Sequence, residues 1–147
     1  MEYAFNRKVL YDYEILEKFE AGLVLSGYEV KSIRNGRLSL QGAYVVVKDE
    51  EAYLLNANVP PYQPENTPVG YNPTRSRKLL LHKTEIRSLI GKSKQSGLTL
   101  VPLKVYNKAN RIKLEFWLAK GKKHYDKREK IKKRDFQRER GRVLKEK

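Results

Sequence analysis

The 147-residue chain carries 32 Lys and Arg against 17 Asp and Glu, a formal net charge of +15, with no cysteine and two histidines. Its length favours one domain, and 39% hydrophobic residues can build a core, while no apolar run approaches the ~18 residues of a membrane span. Disulfides, thiolate zinc sites, thiol catalysis and a three-histidine metal centre are excluded by composition, and the N-terminus has no secretory apolar region. The expectation is a cytoplasmic protein that binds a polyanion, without cofactor, metal or membrane.

From Tyr13 the apolar residues Tyr13, Ile15, Phe19, Ala21, Leu23 and Leu25 fall on odd positions, with Glu14, Lys18 and Glu20 between them. That period of two predicts a long half-buried strand. Val30 and Ile33 lie three apart before Asn35-Gly36, which predicts a short helix with both facing inward. Tyr44 to Val47 and Tyr53 to Leu55 flank Lys48, Asp49, Glu50 and Glu51 as a hairpin. Five of the six prolines then fall between Pro60 and Pro73, and a loop of that length suggests use. Ile86, Leu89 and Ile90 recur at helical spacing, predicting a helix from about His82 to Ser93.

The last hairpin runs from Leu98 to Tyr106 and returns after a turn at Asn107 to Asn110, with Pro102 marking an edge or a bulge. In its second strand Ile112, Leu114, Phe116 and Leu118 alternate with Arg111, Lys113, Glu115 and Trp117, an apolar face backed by a basic one bearing an aromatic. The fold class expected is mainly β with short helices: a closed antiparallel OB-like β-barrel over residues 1–119. The 28 residues from Lys120 to Lys147 hold 14 basic and 5 acidic residues, net +9, and few apolar ones. They form a second segment, 120–147, a tail disordered when free and able to become helical beside a partner.

Enzymatic motifs are weak. Ile90, Gly91, Lys92 and Ser93 mimic the end of a phosphate-binding loop, but the required glycine five positions earlier is Ile86. His82 with Glu85 three residues on reads as a surface or capping pair rather than part of a triad. Ten tyrosines and one tryptophan on a basic chain suit stacking on single-stranded or looped RNA. Tyr13, Phe19 and Phe116 are expected in the core, and Tyr62, Tyr71 and Tyr125 exposed. Arg75, Arg77 and Lys78 group three cations at the end of the long loop, a candidate phosphate clamp.

The strings EAGLVLSGYEVKSIRNG (Glu20 to Gly36), RSRKLLLH (Arg75 to His82), LTLVPLKVY (Leu98 to Tyr106) and AKGKKHYDKREKIKKR (Ala119 to Arg134), in this order, closely resemble the small protein B family, bacterial proteins that bind transfer-messenger RNA in trans-translation. The resemblance implies a non-enzymatic partner of the tRNA-like domain of that RNA. It also implies a role in charging by alanyl-tRNA synthetase and in delivery with elongation factor Tu to stalled ribosomes, both acting through the RNA. The family's RNA-binding positions fall on Asn6, Tyr13, Glu20, Lys31, Tyr44, Leu80 and Lys113, and Arg34, Arg75, Arg77 and Lys78 join them on charge. Glu20 cannot favour a phosphate, so it must accept from base or ribose donors or orient a neighbouring cation. Tyr13 would then sit at a rim, its ring partly buried.

The tail is implied to reach the decoding centre and messenger channel of the small ribosomal subunit and to become helical there. Lys120, Lys122, Lys123, Tyr125, Asp126, Lys127 and Arg128, the last three matching a family DKR element, are its expected contacts. Val143 and Leu144 match a hydrophobic pair that acts after entry. Glu50 replaces a glycine common in the family's second hairpin, which is expected to change that turn's geometry. The alternatives are a ribosomal protein or general RNA chaperone, which would bind many RNAs alike, and an RNA-processing enzyme, which needs a metal cluster or base-nucleophile pair absent from the sequence.

Overall fold

A period-two strand early in the chain organises the rest. In the computed structural model, which describes residues 1–63, 65 and 67–122, the segment Tyr13–Leu23 forms an eleven-residue strand, β2, with Phe19 and Ala21 buried and Glu14, Leu16, Lys18 and Glu20 outward. Before it come strand β1 (Glu2–Phe5) and a single helical turn, α1 (Lys8–Asp12). Helix α2 (Gly27–Arg34), the hairpin β3 (Tyr44–Lys48) and β4 (Glu51–Leu55), the short strand β5 (Arg77–Leu80) and helix α3 (Lys83–Ser93) follow. The long strands β6 (Leu98–Lys108) and β7 (Arg111–Gly121) complete the described elements.

All pairings between these strands are antiparallel. The sheet order is β1-β6-β3-β4-β5-β2-β7, and β7 also pairs with β6. Hydrogen bonding from β6 through β3, β4, β5, β2 and β7 therefore returns to β6, leaving β1 outside this ring. The β3–β6 contact is its narrowest seam, with the single registered pair Val45↔Leu100. Both expected hairpins form around left-handed residues, Asp49 and Glu50 in one and Ala109 and Asn110 in the other, the two-residue turn whose twist matches that of the strands. Glu50 lies in the left-handed region, which a glycine enters at less cost. Pro102 lies at a bulge, between Pro102 and Lys104, because it has no N–H to give the ladder.

The ring encloses one core. Phe19 and Phe116 are registered partners and stack with centroids 5.3 Å apart, beside Ala21, Leu54, Leu79, Val105 and Leu114, with Ile33 of α2 and Leu89 of α3 closing the cluster. A second cluster lies on the other side of β6 and β7, where Val9 of α1 meets Val101, Leu103, Trp117 and Ala119. This corrects the reading of Trp117 as part of an exposed basic face. Strand alternation does turn it outward, but α1 covers that end of the sheet and leaves it 7% exposed. β7 also carries Lys120 past the expected body boundary at residue 119, and the Lys122 N–H donates to Asp12 O at 2.9 Å. Lys123, Tyr125, Asp126, Lys127, Arg128, Val143 and Leu144, with the conformation expected of the tail, lie outside the described residues.

Between α2 and β5 the fold buries an ionic network. Glu29 at the start of α2 accepts from the Ser26 N–H at 3.0 Å, capping the helix. It also receives Arg75 Nε at 3.0 Å and Arg77 Nε at 2.8 Å. Arg77, 1% exposed, donates further to the carbonyls of Ala57 (2.9 Å) and Pro73 (3.0 Å). Tyr71, expected outside, is half-buried, with its hydroxyl donating to Val59 O at 2.8 Å and its ring set edge-on to Tyr28. The proline-rich segment is thereby pinned across α2 rather than hanging free.

Burial pushes the Glu29 carboxyl up, but Arg75, the Ser26 N–H and Arg77 outweigh it and hold its pKa at about 2 against an ordinary 4.5. Because the folded value is the lower one, this stabilisation is present above about pH 4.5 and is lost as pH falls toward 2, at most ~3 kcal/mol. Glu29→Gln leaves Arg77 buried without its counter-charge and is expected to destabilise the protein by ~3–5 kcal/mol. Urea unfolding at pH 7 and pH 3 checks both: the wild type should lose stability between the two, and the variant should lose much less.

Candidate nucleic-acid interface

β2 runs between β5 and β7, so its outward residues sit in rows with theirs. Gly22 is registered with Leu80 on one side and Lys113 on the other, and Lys113 in turn with Tyr106 of β6. The row therefore reads Leu80, Gly22, Lys113, Tyr106 across four strands. Leu80 is 56% exposed, unusual for a large apolar side chain amid cations. One row along, Glu20 is registered with Glu115, and Glu115 in turn with Lys104. The Lys104 ammonium lies 5.5 Å from the Tyr106 ring centroid, within cation–π range.

Glu20 has a hydroxyl and a cation beside it. The Tyr106 hydroxyl donates to one oxygen, and Lys108 Nζ lies 3.1 Å from the other. That hydroxyl bond, against a smaller effect of burial and with help from Lys108 and Lys113, holds the Glu20 carboxyl below its ordinary range. Burial first, and the bond to Glu20 second, push the Tyr106 hydroxyl up. At neutral pH Glu20 is thus an ionised anchor that fixes one ammonium group and gathers a second on a basic surface.

Two open clefts sort most of the sequence-predicted residues. The larger, about 720 Å³, is lined by Asn6, Tyr13 and Tyr44, with Gln41, Ser39 and Thr99 among its polar groups. Tyr13 is half-buried, as a rim residue should be, and Tyr44 is 43% exposed. The smaller, about 240 Å³, brings together Gly22, Val30, Arg34, Leu80 and Lys113. Arg34 is held there by a 3.1 Å bond to Asn110 O in the β6–β7 turn. Lys31 is exposed on α2 without lining either cleft.

The three-cation clamp is corrected. Arg77 is buried on Glu29, and Arg75 is half-buried on the same carboxylate and on Val24 O at 3.3 Å. Only Lys78 of the three is exposed, and it pairs with Glu51 at 3.0 Å. Lys92 of the apparent phosphate loop sits inside α3 and pairs with Glu17 at 2.6 Å. The Glu85 carboxylate accepts from the His82 backbone N–H at 3.2 Å, the capping arrangement. Among the described residues no group of three or more His, Cys, Asp or Glu could hold a metal ion. No helix among them is long and apolar enough to cross a membrane.

Sequence reasoning missed Gly22, Lys104, Tyr106 and Lys108 as parts of this surface. The last three alternate along β6, so their period of two was the available signal.

A small antiparallel β-protein that displays cations, a tyrosine and an exposed leucine on one outer face belongs by its surface to the nucleic-acid-binding class. The SmpB protein family model matches residues 3–146. The chain is 51% identical to the SsrA-binding protein of Ralstonia nicotianae, covering 100% of this chain and 99% of that one. It is 53% identical to the SsrA-binding protein of Thiobacillus denitrificans over 98% and 97%. A chain of the solved structure described as "tmRNA-SmpB: a journey to the center of the bacterial ribosome" superposes with a TM-score of 0.68 at 44% identity, covering 86% of this chain and 92% of that one. This chain belongs to the SmpB family.

Replacing Tyr106 by Phe removes the hydroxyl that does most to hold Glu20 down, so the Glu20 pKa is expected to rise toward its ordinary value. Carboxyl-carbon NMR titration of wild type and Tyr106→Phe reads this directly; an unchanged Glu20 pKa would dissolve the anchor.

Proposed function

We propose that this protein binds the tRNA-like domain of transfer-messenger RNA and brings it to stalled ribosomes for trans-translation, as a binding factor and not an enzyme. The carrying observation is the family match over residues 3–146, together with relatives at about half identity along the whole chain, all named SsrA-binding proteins. The body, residues 1–119 with the end of β7, is read as a closed OB-like barrel because the hydrogen-bonded ring returns on itself. The RNA-contacting set is Asn6, Tyr13, Glu20, Lys31, Arg34, Tyr44, Lys78, Leu80 and Lys113, with Arg75 and Arg77 supporting it from below. Glu20 orders the cations and the cations meet phosphate.

Residues 120–147 are read as the ribosome-directed tail, contacting the small-subunit decoding centre and messenger channel through Lys120, Lys122, Lys123, Tyr125, Asp126, Lys127 and Arg128. A segment with net +9 that orders on a rigid polyanion releases counterions against its entropy cost. Elongation factor Tu and alanyl-tRNA synthetase act through the RNA, and the site of action is the cytoplasm.

A chain ending at Lys122 tests the division of labour. In a reconstituted translation system with a message lacking a stop codon, the shortened chain should bind the tRNA-like domain within a few-fold of wild type and fail to support tagging of the stalled peptide. Tagging by the shortened chain would overturn the role given to the tail. Failure of the full chain to support tagging would overturn the function itself.

A further inference from the structure

Helix α3 breaks three local rules on one face, and nothing inside the protein compensates them. Lys83, its first residue, sets an ammonium group at the positive end of the helix. Arg87 follows four residues later on the same face, where two like charges oppose helix formation. Gly91, a further four along, lies inside the last turn, where alanine would hold the helix better. Its φ is not left-handed, and a Cβ built there would meet nothing within 4 Å, so neither the backbone nor a neighbour calls for glycine. Local costs without an internal return mark functional surfaces.

Lys83, Arg87, Gly91 and Lys94 are all exposed. At 3.6 residues per turn they fall within about 80° of arc, on a ridge about 16 Å long. Among the described residues its three cations have neither a hydrogen-bond acceptor nor an ion-pair partner. Glu50 of the β3–β4 turn shares a shallow hollow of about 120 Å³ with Lys83 and Arg87 and pairs with neither. Lys92 lies on the opposite side of the helix, where Glu17 takes it up.

The ridge is remote from the smaller cleft. Arg34 of α2 bonds to Asn110 in the β6–β7 turn, whereas Lys92 of α3 bonds to Glu17, registered with Leu118 near the far end of β7. The eight residues from Asn110 to Leu118 span about 26 Å, so α2 and α3 close opposite ends of the ring. The chain leaves the ring at the α3 end, where Lys120 is registered with Leu98. The face offers charge and the small polar groups of Thr84, Ser88 and Gln95, with no exposed aromatic or large apolar side chain. A protein partner is held by such anchors. A phosphate backbone is held by Lys, Arg and hydroxyls, and comes closest where a side chain is missing.

We propose that α3 is a second RNA-docking surface, which lays Lys83, Arg87 and Lys94 along one phosphate backbone of the small ribosomal subunit's RNA, with Gly91 where that backbone passes closest. This rests on the ribosome-directed reading of residues 120–147, which leave the body at the same end. It gives the body a grip on the subunit separate from the tRNA-like domain and from the tail.

The test compares the full chain with a Lys83→Gln, Arg87→Gln double variant and with Gly91→Gln, for binding to purified small subunits and to the tRNA-like domain at several salt concentrations. Both variants should keep or raise the Tm, since each removes a local cost. The double variant should bind the subunit roughly tenfold more weakly, with the salt slope reduced by about 2. Gly91→Gln should lose a similar factor with the slope unchanged, because it removes no charge. Affinity for the tRNA-like domain should stay that of wild type. The chain has no cysteine, so Thr84→Cys can carry a single tethered iron chelate, whose radicals should cut the subunit's RNA.

Subunit binding as tight as wild type in both variants would overturn the surface. Equal losses for the subunit and the tRNA-like domain would overturn it too, since the charge would then be unselective. Cuts confined to ribosomal proteins would put a protein in place of the RNA. A wild type without affinity for the small subunit would instead overturn the reading on which the proposal rests.

Discussion

A single buried carboxylate holds the functional surface in register. Glu29 caps α2, receives Arg75 just before β5 and Arg77 at its start, and through Arg77 reaches the Pro73 carbonyl of the proline-rich segment. α2 carries Arg34, and β5 carries Leu80, so the two sides of the smaller cleft are tied to one another through this network. A buried ion pair is a poor source of net stability compared with apolar packing. Its value here is positional: two stretches distant in sequence, Ser26 to Glu29 and Tyr71 to Arg77, meet at one carboxylate, and displacement of either leaves a charge unpaired.

The second organising feature is β2. In its second half Phe19 and Ala21 make the core with Phe116 and Leu114, and Glu20 and Gly22 lie on the outer face with Lys113 and Leu80. Because the side-chain period is two, one slip of register would exchange these roles. Phe19 stacked on Phe116 therefore fixes where Glu20 points, and Glu20 in turn fixes Lys108 through the oxygen that Tyr106 leaves free. Core packing and surface chemistry are two faces of the same eleven residues.

Much of this was legible in sequence, and the exceptions share a cause. The β2 period, α3, both hairpins and the Pro102 bulge are local patterns, readable within a few residues. Trp117 was misassigned because the alternation rule gives a face and says nothing about α1, a five-residue turn too short to show a period, lying on top of it. Arg77 was misassigned because three neighbouring cations look like surface. Its partner Glu29 lies 48 residues earlier, beyond any local window. Tyr71 was hidden likewise by Val59 and Tyr28. The family's RNA-binding positions came from resemblance, and the structure gathers most of them into two clefts.

The central claim is that this surface reads a particular RNA and does not only attract phosphate. Competitive binding at one fixed salt concentration near physiological, with the tRNA-like domain of transfer-messenger RNA against bulk tRNA and an unstructured RNA, tests it most directly, because charge alone would bind all three. The account predicts a clear preference for the tRNA-like domain in the wild type and its loss in Glu20→Ala, where Lys108 and Tyr106 are released. Equal affinity for the three RNAs, unchanged by the substitution, would contradict it.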